Sequence, residues 1–344
     1  MYSPNEVMVR TYDNIVSAIG NTPLIRLTRL ESGLGFALFA KIEGMNPAGS
    51  VKDRSAYAII RRGVESGAIT AGTVVVESTS GNMGIGLAQA CRYYGLRLVC
   101  VVDLRTTPQN VALLRAYGAH VEIVTEPDPA TGEFLVARLA RVRELLDSIE
   151  GSVWTDQYSN PDNSAAHLQT MHEIVTALDG RVDYLFCSTS TCGTIRGCSE
   201  YVRSHNLPIT IVAVDAIGSA IFGSHKQERR IPGHGAAIRP DLFRPELIDD
   251  HIHVSDLDCV VGCRRLLGQE AIMAGGSSGG IVTAVERMKD TLPGNSICGA
   301  ILPDRGERYV DTIFSDEWVE EHFGDVQHLW QPLQTDHVCK TVIS

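Results

Sequence analysis

Long apolar runs are missing from this chain. No stretch approaches the roughly 18 residues a membrane-spanning helix needs, so a membrane span is not expected. The first segment, Met1 to Tyr12, is polar and mixed in charge, without the apolar centre of a secretory signal. Basic charge is scarce too: 30 Lys and Arg stand against 41 Asp and Glu, a formal net charge of −11. That balance argues against a general nucleic-acid binder, which needs a basic face. An anionic substrate would have to be met by locally placed arginines or helix N-termini. The nine cysteines are odd in number and scattered, and no two C-x-x-C pairs stand at zinc spacing. Cys259 and Cys263 are four apart and can share a helix face, but no second ligand pair accompanies them. Reduced thiols in a cytoplasmic protein without a metal are expected. There is also no internal repeat, low-complexity tract or flexible linker.

What is present is the composition of a globular enzyme. The 344 residues are 44% apolar, enough for a sizeable core, with 32 glycines to serve turns. Apolar β-branched runs alternate with helical patterns. Thr73–Glu77 reads as a buried strand, and a helix is expected from about Met83 to Tyr94, stopped by Gly95. Leu98–Val102 and Val121–Val124 read as strands, with a helix from Pro108 to Tyr117 between them. Tyr184–Phe186, Ile209–Val214 and Ile297–Leu302 continue the series. Such alternation predicts an α/β fold with mostly parallel sheets covered by helices on both faces. Ligands then bind at the carboxyl ends of the strands.

Four segments carry chemistry. In Asn46-Pro47-Ala48-Gly49-Ser50-Val51-Lys52-Asp53-Arg54, the Pro, Gly and Ser place Lys52 on a turn feeding a helix that Ser50 could cap. An amine held there partly neutral can form a Schiff base with a carbonyl compound, although most lysines in such loops are solvated charges. Ser78-Thr79-Ser80-Gly81-Asn82-Met83-Gly84 offers hydroxyls and N–H groups to a carboxylate. Asn82 could donate to a phenolate-type oxygen, and simple N-capping by Ser or Asn explains the segment as well. Cys187-Ser188-Thr189-Ser190-Thr191-Cys192-Gly193-Thr194 is small and hydroxyl-rich enough to wrap a phosphate. No Lys follows its Gly as in a P-loop, and it is not G-x-G-x-x-G, so a single phosphate monoester suits it better than a nucleotide. Ala274-Gly275-Gly276-Ser277-Ser278-Gly279-Gly280 could present a hydroxyl to a ring nitrogen, or be only a close-packed turn. A Schiff-base lysine, a phosphate loop and a neutral partner for a ring nitrogen together describe a pyridoxal phosphate site.

With these marks the chain resembles the fold-type II pyridoxal phosphate enzymes, the cysteine synthase and cystathionine β-synthase family. The resemblance runs over about residues 14 to 316. It rests also on Ile19-Gly20-Asn21-Thr22-Pro23-Leu24, on Gln157-Tyr158 with Asn160-Pro161 and His167, and on Leu302-Pro303 with Gly306-Glu307-Arg308-Tyr309. It implies a tryptophan synthase β-like fold with two open twisted sheets. Residues 1–47 and 155–320 would form a cofactor-anchoring domain, 48–154 a smaller mobile lobe, and 321–344 a tail. It further implies that Lys52 carries the cofactor as an internal aldimine and moves protons. Asn82 would face the ring oxygen. Ser190, Thr191, Cys192, Gly193 and Thr194 would hold the phosphate, and Ser277 would face the ring nitrogen. Ser78, Thr79, Ser80, Met83 and Gln157 would surround the substrate carboxylate. His167 is expected to be a structural hydrogen-bonding residue rather than a base. A homodimer is expected of the family.

The chain departs from cysteine synthases at Met83, usually hydroxylated there, and at Ser190 and Cys192, usually glycine. The segments 215–223, 231–236 and 304–316 resemble instead the branch that makes 2,3-diaminopropionate precursors for siderophores and antibiotics. That branch joins O-phospho-L-serine to L-glutamate through an aminoacrylate. The extra phosphate dianion would need a fork-shaped cation. Arg138 is the first candidate, one turn beyond Phe134 on the same face, and Arg105 the second, with Tyr158 adding a hydroxyl. Each arginine could equally be a solvated surface charge. Cysteine or cystathionine synthesis with a sulfur nucleophile is the alternative reaction. A binding or regulatory family member is a third possibility, against which Lys52, Asn82 and Ser277 speak.

Overall fold

A computed structural model of the chain describes residues 11–223 and 227–331. The expectations for Met1 to Arg10, for Cys339 and for the tail beyond residue 331 lie outside the described residues.

In chain order, β1 (Leu24–Arg26) and β2 (Ala37–Ile42) precede α1 (Lys52–Glu65). Then β3 (Val74–Ser78), α2 (Asn82–Tyr94), β4 (Arg97–Asp103), α3 (Pro108–Ala116), β5 (His120–Val124), α4 (Phe134–Ser148) and β6 (Ser152–Trp154) alternate. They are followed by α5 (Pro161–Ala177), β7 (Tyr184–Ser188), α6 (Gly193–Ser204), β8 (Thr210–Ala216), β9 (Asp250–Val254), α7 (Asp256–Glu270), α8 (Gly276–Arg287), β10 (Ile297–Leu302) and α9 (Asp316–Phe323).

Two sheets result. One runs β1-β2-β10-β7-β8-β9 and the other β5-β4-β3-β6. Every pairing is parallel except β1 with β2. Parallel strands covered on both faces must be apolar throughout, and β3 and β8 are buried nearly end to end. On the larger sheet one core forms around Phe186, Val212, Ile281 and Leu302, and the other around Met171, Ile195 and Ile211. The smaller sheet is covered by α1 and α2 on one face and by α4 on the other. Phe323, Val326 and Trp330, at the start of the expected tail, pack against the larger sheet's core. Among the described residues no helix is long and apolar enough to cross a membrane. No group of three or more His, Cys, Asp or Glu among them could hold a metal. The eight described cysteines are free and buried.

The expected strands and helices form, shifted by a residue or two at their ends. The caps differ. Val51, not a serine, occupies the N-cap of α1, while Ser50 Oγ accepts from Lys52 N–H at 3.2 Å. Asp53 completes this turn by accepting from Ala48 N–H at 2.6 Å. The N-cap of α2 is Gly81, which has no side chain to cap with, and Thr79 Oγ1 instead accepts from Gly84 N–H in the first turn at 3.2 Å. Asn82 is thereby left for other partners.

Candidate active site

The chemistry-bearing loops meet at the carboxyl ends of the strands. β10 is followed by Pro303, whose carbonyl accepts from Val51 N–H at 2.7 Å. Short bridges pair Ser50 with Asp304 and Ala274 with Arg305. Gly275 N–H donates to the Asp304 carbonyl at 3.1 Å. The Lys52 turn, the segment after β10 and the start of α8 are thus laced into one floor. A side chain at Gly275 could not fit, because its Cβ would lie 2.0 Å from Asp304 Oδ1.

Lys52 opens α1 at this floor and stays partly accessible. Its ammonium sits in dry surroundings, and desolvation lowers its pKa against the opposing influence of Cys187, Cys192 and Asp304. A lysine accessible to a ligand yet biased towards its neutral form suits amine chemistry. Asn82 meets the same Asp304 whose charge acts on Lys52, and is gripped from two sides. Arg308 Nη1 donates to Asn82 Oδ1, and Asn82 Nδ2 donates to Asp304 Oδ2 at 2.8 Å. Arg308 also donates to Ala48 O at 2.5 Å, and Tyr309 Oη donates to Asp304 Oδ2 at 2.6 Å. The amide orientation is therefore fixed, with one N–H left to donate. Burial raises the Asp304 pKa, and its Oδ1 is buried without a partner.

The phosphate-type loop lies between β7 and α6. Cys192 there adopts φ +63°, the left-handed region that a side chain enters at a cost of about 1–2 kcal/mol. This strained residue faces the start of a twelve-residue helix. Among the described residues, no hydrogen bond is donated by the N–H groups of Thr191, Cys192 or Gly193. Open N–H donors at the start of a helix, where its dipole is positive, could hold an anion. The loop is braced by Asn163, which donates to Gln157 O at 2.7 Å and to Thr191 Oγ1 at 3.3 Å. His167 is fully buried and hydrogen-bonds Ser55 at 3.0 Å, Thr170 at 3.1 Å and Thr194 at 3.3 Å. Burial, then the charges of Lys52 and Arg54, hold its pKa well below the usual range, so it is a neutral connector. Ser277, in the first turn of α8, is buried and bonds to no other described side chain.

A third wall is the turn after β3. Ser78, Thr79 and Met83 are buried, and Ser80 is partly exposed. Behind it stands Glu77, whose Oε1 accepts from Ser78 N–H at 2.9 Å. Its Oε2 accepts from Thr155 Oγ1 at 2.6 Å and Gln157 N–H at 3.3 Å. Gln157 Nε2 donates to Ser78 O at 3.3 Å, so one carboxylate ties both sides of this wall. Further out, Arg138 pairs with Asp103 at 3.2 Å, and Arg105 stacks on Phe134 at 5.1 Å. Tyr158 is raised by burial, opposed by the charge of Arg138. Sequence reading did not single out Glu77 or Asn163. It listed Asp304, Arg308 and Tyr309 as resemblance marks without roles.

A model of the family described as pyridoxal-phosphate dependent enzyme matches residues 15–304. The chain belongs to this family. It is 47% identical over 309 residues to the N-(2-amino-2-carboxyethyl)-L-glutamate synthase of Ralstonia nicotianae, covering 89% of this chain and 90% of that protein. Among solved structures it is similar to the O-acetylserine dependent cystathionine beta-synthase of Helicobacter pylori. There the TM-score is 0.82 at 30% identity, over 88% of this chain and 99% of that one. It is also similar to the O-acetyl serine sulfhydrylase isoform 3 of Entamoeba histolytica. That match has a TM-score of 0.83 at 30% identity, over 91% and 94% of the two chains. This pyridoxal-phosphate dependent enzyme has residues that fit the cofactor. It offers a dry accessible lysine, open N–H donors at a helix start, one free amide proton on Asn82 and an unengaged hydroxyl on Ser277.

Proposed function

We propose that the enzyme joins O-phospho-L-serine to L-glutamate, giving N-(2-amino-2-carboxyethyl)-L-glutamate and inorganic phosphate. The observation that carries this reading is the 47% identity to a synthase of that name, over nine-tenths of both chains. In this reading Lys52 anchors the cofactor, Asn82 and Ser277 hold its ring, and residues 190–194 hold its phosphate. Bound there, pyridoxal phosphate supplies an electron sink for the bond broken at the substrate α-carbon. The turn from Ser78 to Met83 and Gln157 orient the substrate carboxylate. Lys52 takes the α-proton and later returns it. The β-carbon to oxygen bond breaks with its electron pair leaving on phosphate. The glutamate amine then forms the new β-carbon to nitrogen bond and loses a proton.

Arg138 and Tyr158 receive the leaving phosphate in this reading, with Asp103 holding Arg138 in place. The segment 48–154 closes over the substrate, against a body formed by 1–47 and 155–320. We infer a cytoplasmic homodimer serving 2,3-diaminopropionate, and so siderophore, biosynthesis.

Purified enzyme incubated with O-phospho-L-serine and L-glutamate should release phosphate and yield the coupled product by mass spectrometry. Lys52→Ala should reduce turnover at least 1,000-fold, on the order of what loss of a covalent anchor removes. Cysteine formation from sulfide, with no product from glutamate, would replace this reading by cysteine synthesis.

A further inference from the structure

The segment after β8 carries two adjacent arginines with opposite fates. Arg230 faces outward: it pairs with Glu228 at 3.4 Å, and its N–H donates to Asp256 Oδ2 at 2.7 Å. Arg229 is half-buried, and among the described residues no carboxylate lies within ion-pair distance of it. Its guanidinium is nevertheless fixed. Nη1 donates to the His234 carbonyl at 2.9 Å. The next residue, Gly235, has φ +68° and donates its N–H to the Thr189 carbonyl at 2.8 Å. Arg229 is therefore two hydrogen bonds from the loop that begins at Ser188. A Cβ on Gly235 would lie 2.8 Å from Arg229 Nη1, so glycine makes room for the guanidinium. Tyr158, raised by burial, feels the opposing charges of both Arg138 and Arg229. Arg138 on α4 and Arg229 in the segment after β8 thus act on the same phenol, and only Arg138 already has a carboxylate.

Resting on the reaction proposed above, we propose that Arg229 is the acceptor-specificity residue, binding the side-chain carboxylate of the incoming glutamate. A half-buried cation without a counter-charge lacks a compensating partner, and a substrate carboxylate supplies one. The acceptor arrives with one carboxylate more than the amine chemistry requires. Arg138 and Tyr158 are engaged by the departing phosphate, so a separate cation serves the acceptor.

The test is steady-state kinetics of the holoenzyme, comparing wild type with Arg229→Ala and Arg229→Lys. Retention of the cofactor's visible absorbance serves as the folding control. In Arg229→Ala the KM for glutamate should rise about 10- to 100-fold, the size of one charge-assisted contact, while the KM for O-phospho-L-serine stays within about twofold. Wild type should favour glutamate over glutamine, and Arg229→Ala should lose that preference. Arg229→Lys should recover part of it. An unchanged glutamate KM, an equal loss for both acceptors, or a change confined to O-phospho-L-serine overturns the site in an enzyme that otherwise makes the product. Wild type that makes no product from glutamate removes the reaction itself, and this site with it.

Discussion

Glu77, buried, ties the turn after β3 to Thr155 and Gln157, and its ionisation has a measurable consequence. Burial pushes its pKa up to about 7, against the hydrogen bonds from Thr155, Gln157 and Ser78. Between about pH 4.5 and 7 the folded chain keeps a proton that the unfolded chain has lost. Stability from this group is therefore full below pH 4.5 and falls as pH rises to 7, by about 3 kcal/mol. Glu77→Gln mimics the protonated form and should flatten that part of the stability curve, read as urea midpoints from pH 5 to 8. Parallel curves for variant and wild type would refute the assignment. Asp53, also raised to about 7 by burial, imposes a slope of the same sign in both proteins. Sequence reading singled out Lys52, Asn82 and Ser277 because each lies in a Pro-, Gly- or Ser-marked turn. It could not find Glu77, which reads as the end of an apolar strand. Nor could it give Asp304 a role, because that role depends on Asn82, 222 positions away.

At the scale of elements, the position of Ser277 depends on how closely α7 and α8 cross. A Cβ at Gly279 would lie 1.9 Å from Cys259 O, and one at Gly262 would lie 2.0 Å from Gly279 O. Neither obstacle is a flexible side chain; both are helix backbone. Gly279→Ala should therefore push the helices apart, costing about 3 kcal/mol in urea denaturation, the upper part of the usual overpacking range. Because Gly279 lies two residues from Ser277, the same variant should hold pyridoxal phosphate less tightly, measured by loss of visible absorbance on dilution. A neutral outcome in both assays would show that α7 moves freely, contrary to this packing. The run Gly275–Gly280 admits both readings given by its sequence, since it is a close-packed turn and also presents a hydroxyl. The alternation of strand and helix was legible because parallel strands buried on both faces leave continuous apolar runs. At the start of α2 the alternative of N-capping by Ser or Asn does not hold, although both are good caps in isolation. Here Arg308 and Asp304, brought in from beyond β10, take Asn82 instead.

Across the whole molecule, a buried charge cluster ties α1, which packs on the smaller sheet, to the body of the larger one. Lys41 on β2 pairs with Glu173 on α5 at 2.6 Å. Arg54 on α1 pairs with the same Glu173 at 2.7 Å and with Glu43 at 2.7 Å. Desolvation alone would raise the Glu173 pKa, but hydrogen bonds and charge from Arg54, with help from Lys41, bring it down to about 2. A carboxylate depressed in the folded state stabilises fully above its unfolded value of about 4.5. Its contribution, about 3 kcal/mol, is lost as pH falls from there to 2. Glu173→Gln leaves two buried cations short of a partner and should cost about 3–5 kcal/mol at pH 7. At pH 3 the penalty should shrink, because the unfolded wild-type chain is by then protonated at Glu173 while the folded chain still holds the charge. The two readings separate in one experiment, urea denaturation of both proteins at pH 7 and pH 3. A constant difference would mean that Glu173 acts through packing alone. A difference that closes at low pH would mean that electrostatics fixes where α1 sits against the larger sheet, and with it where Lys52, the first residue of that helix, meets the floor of the site.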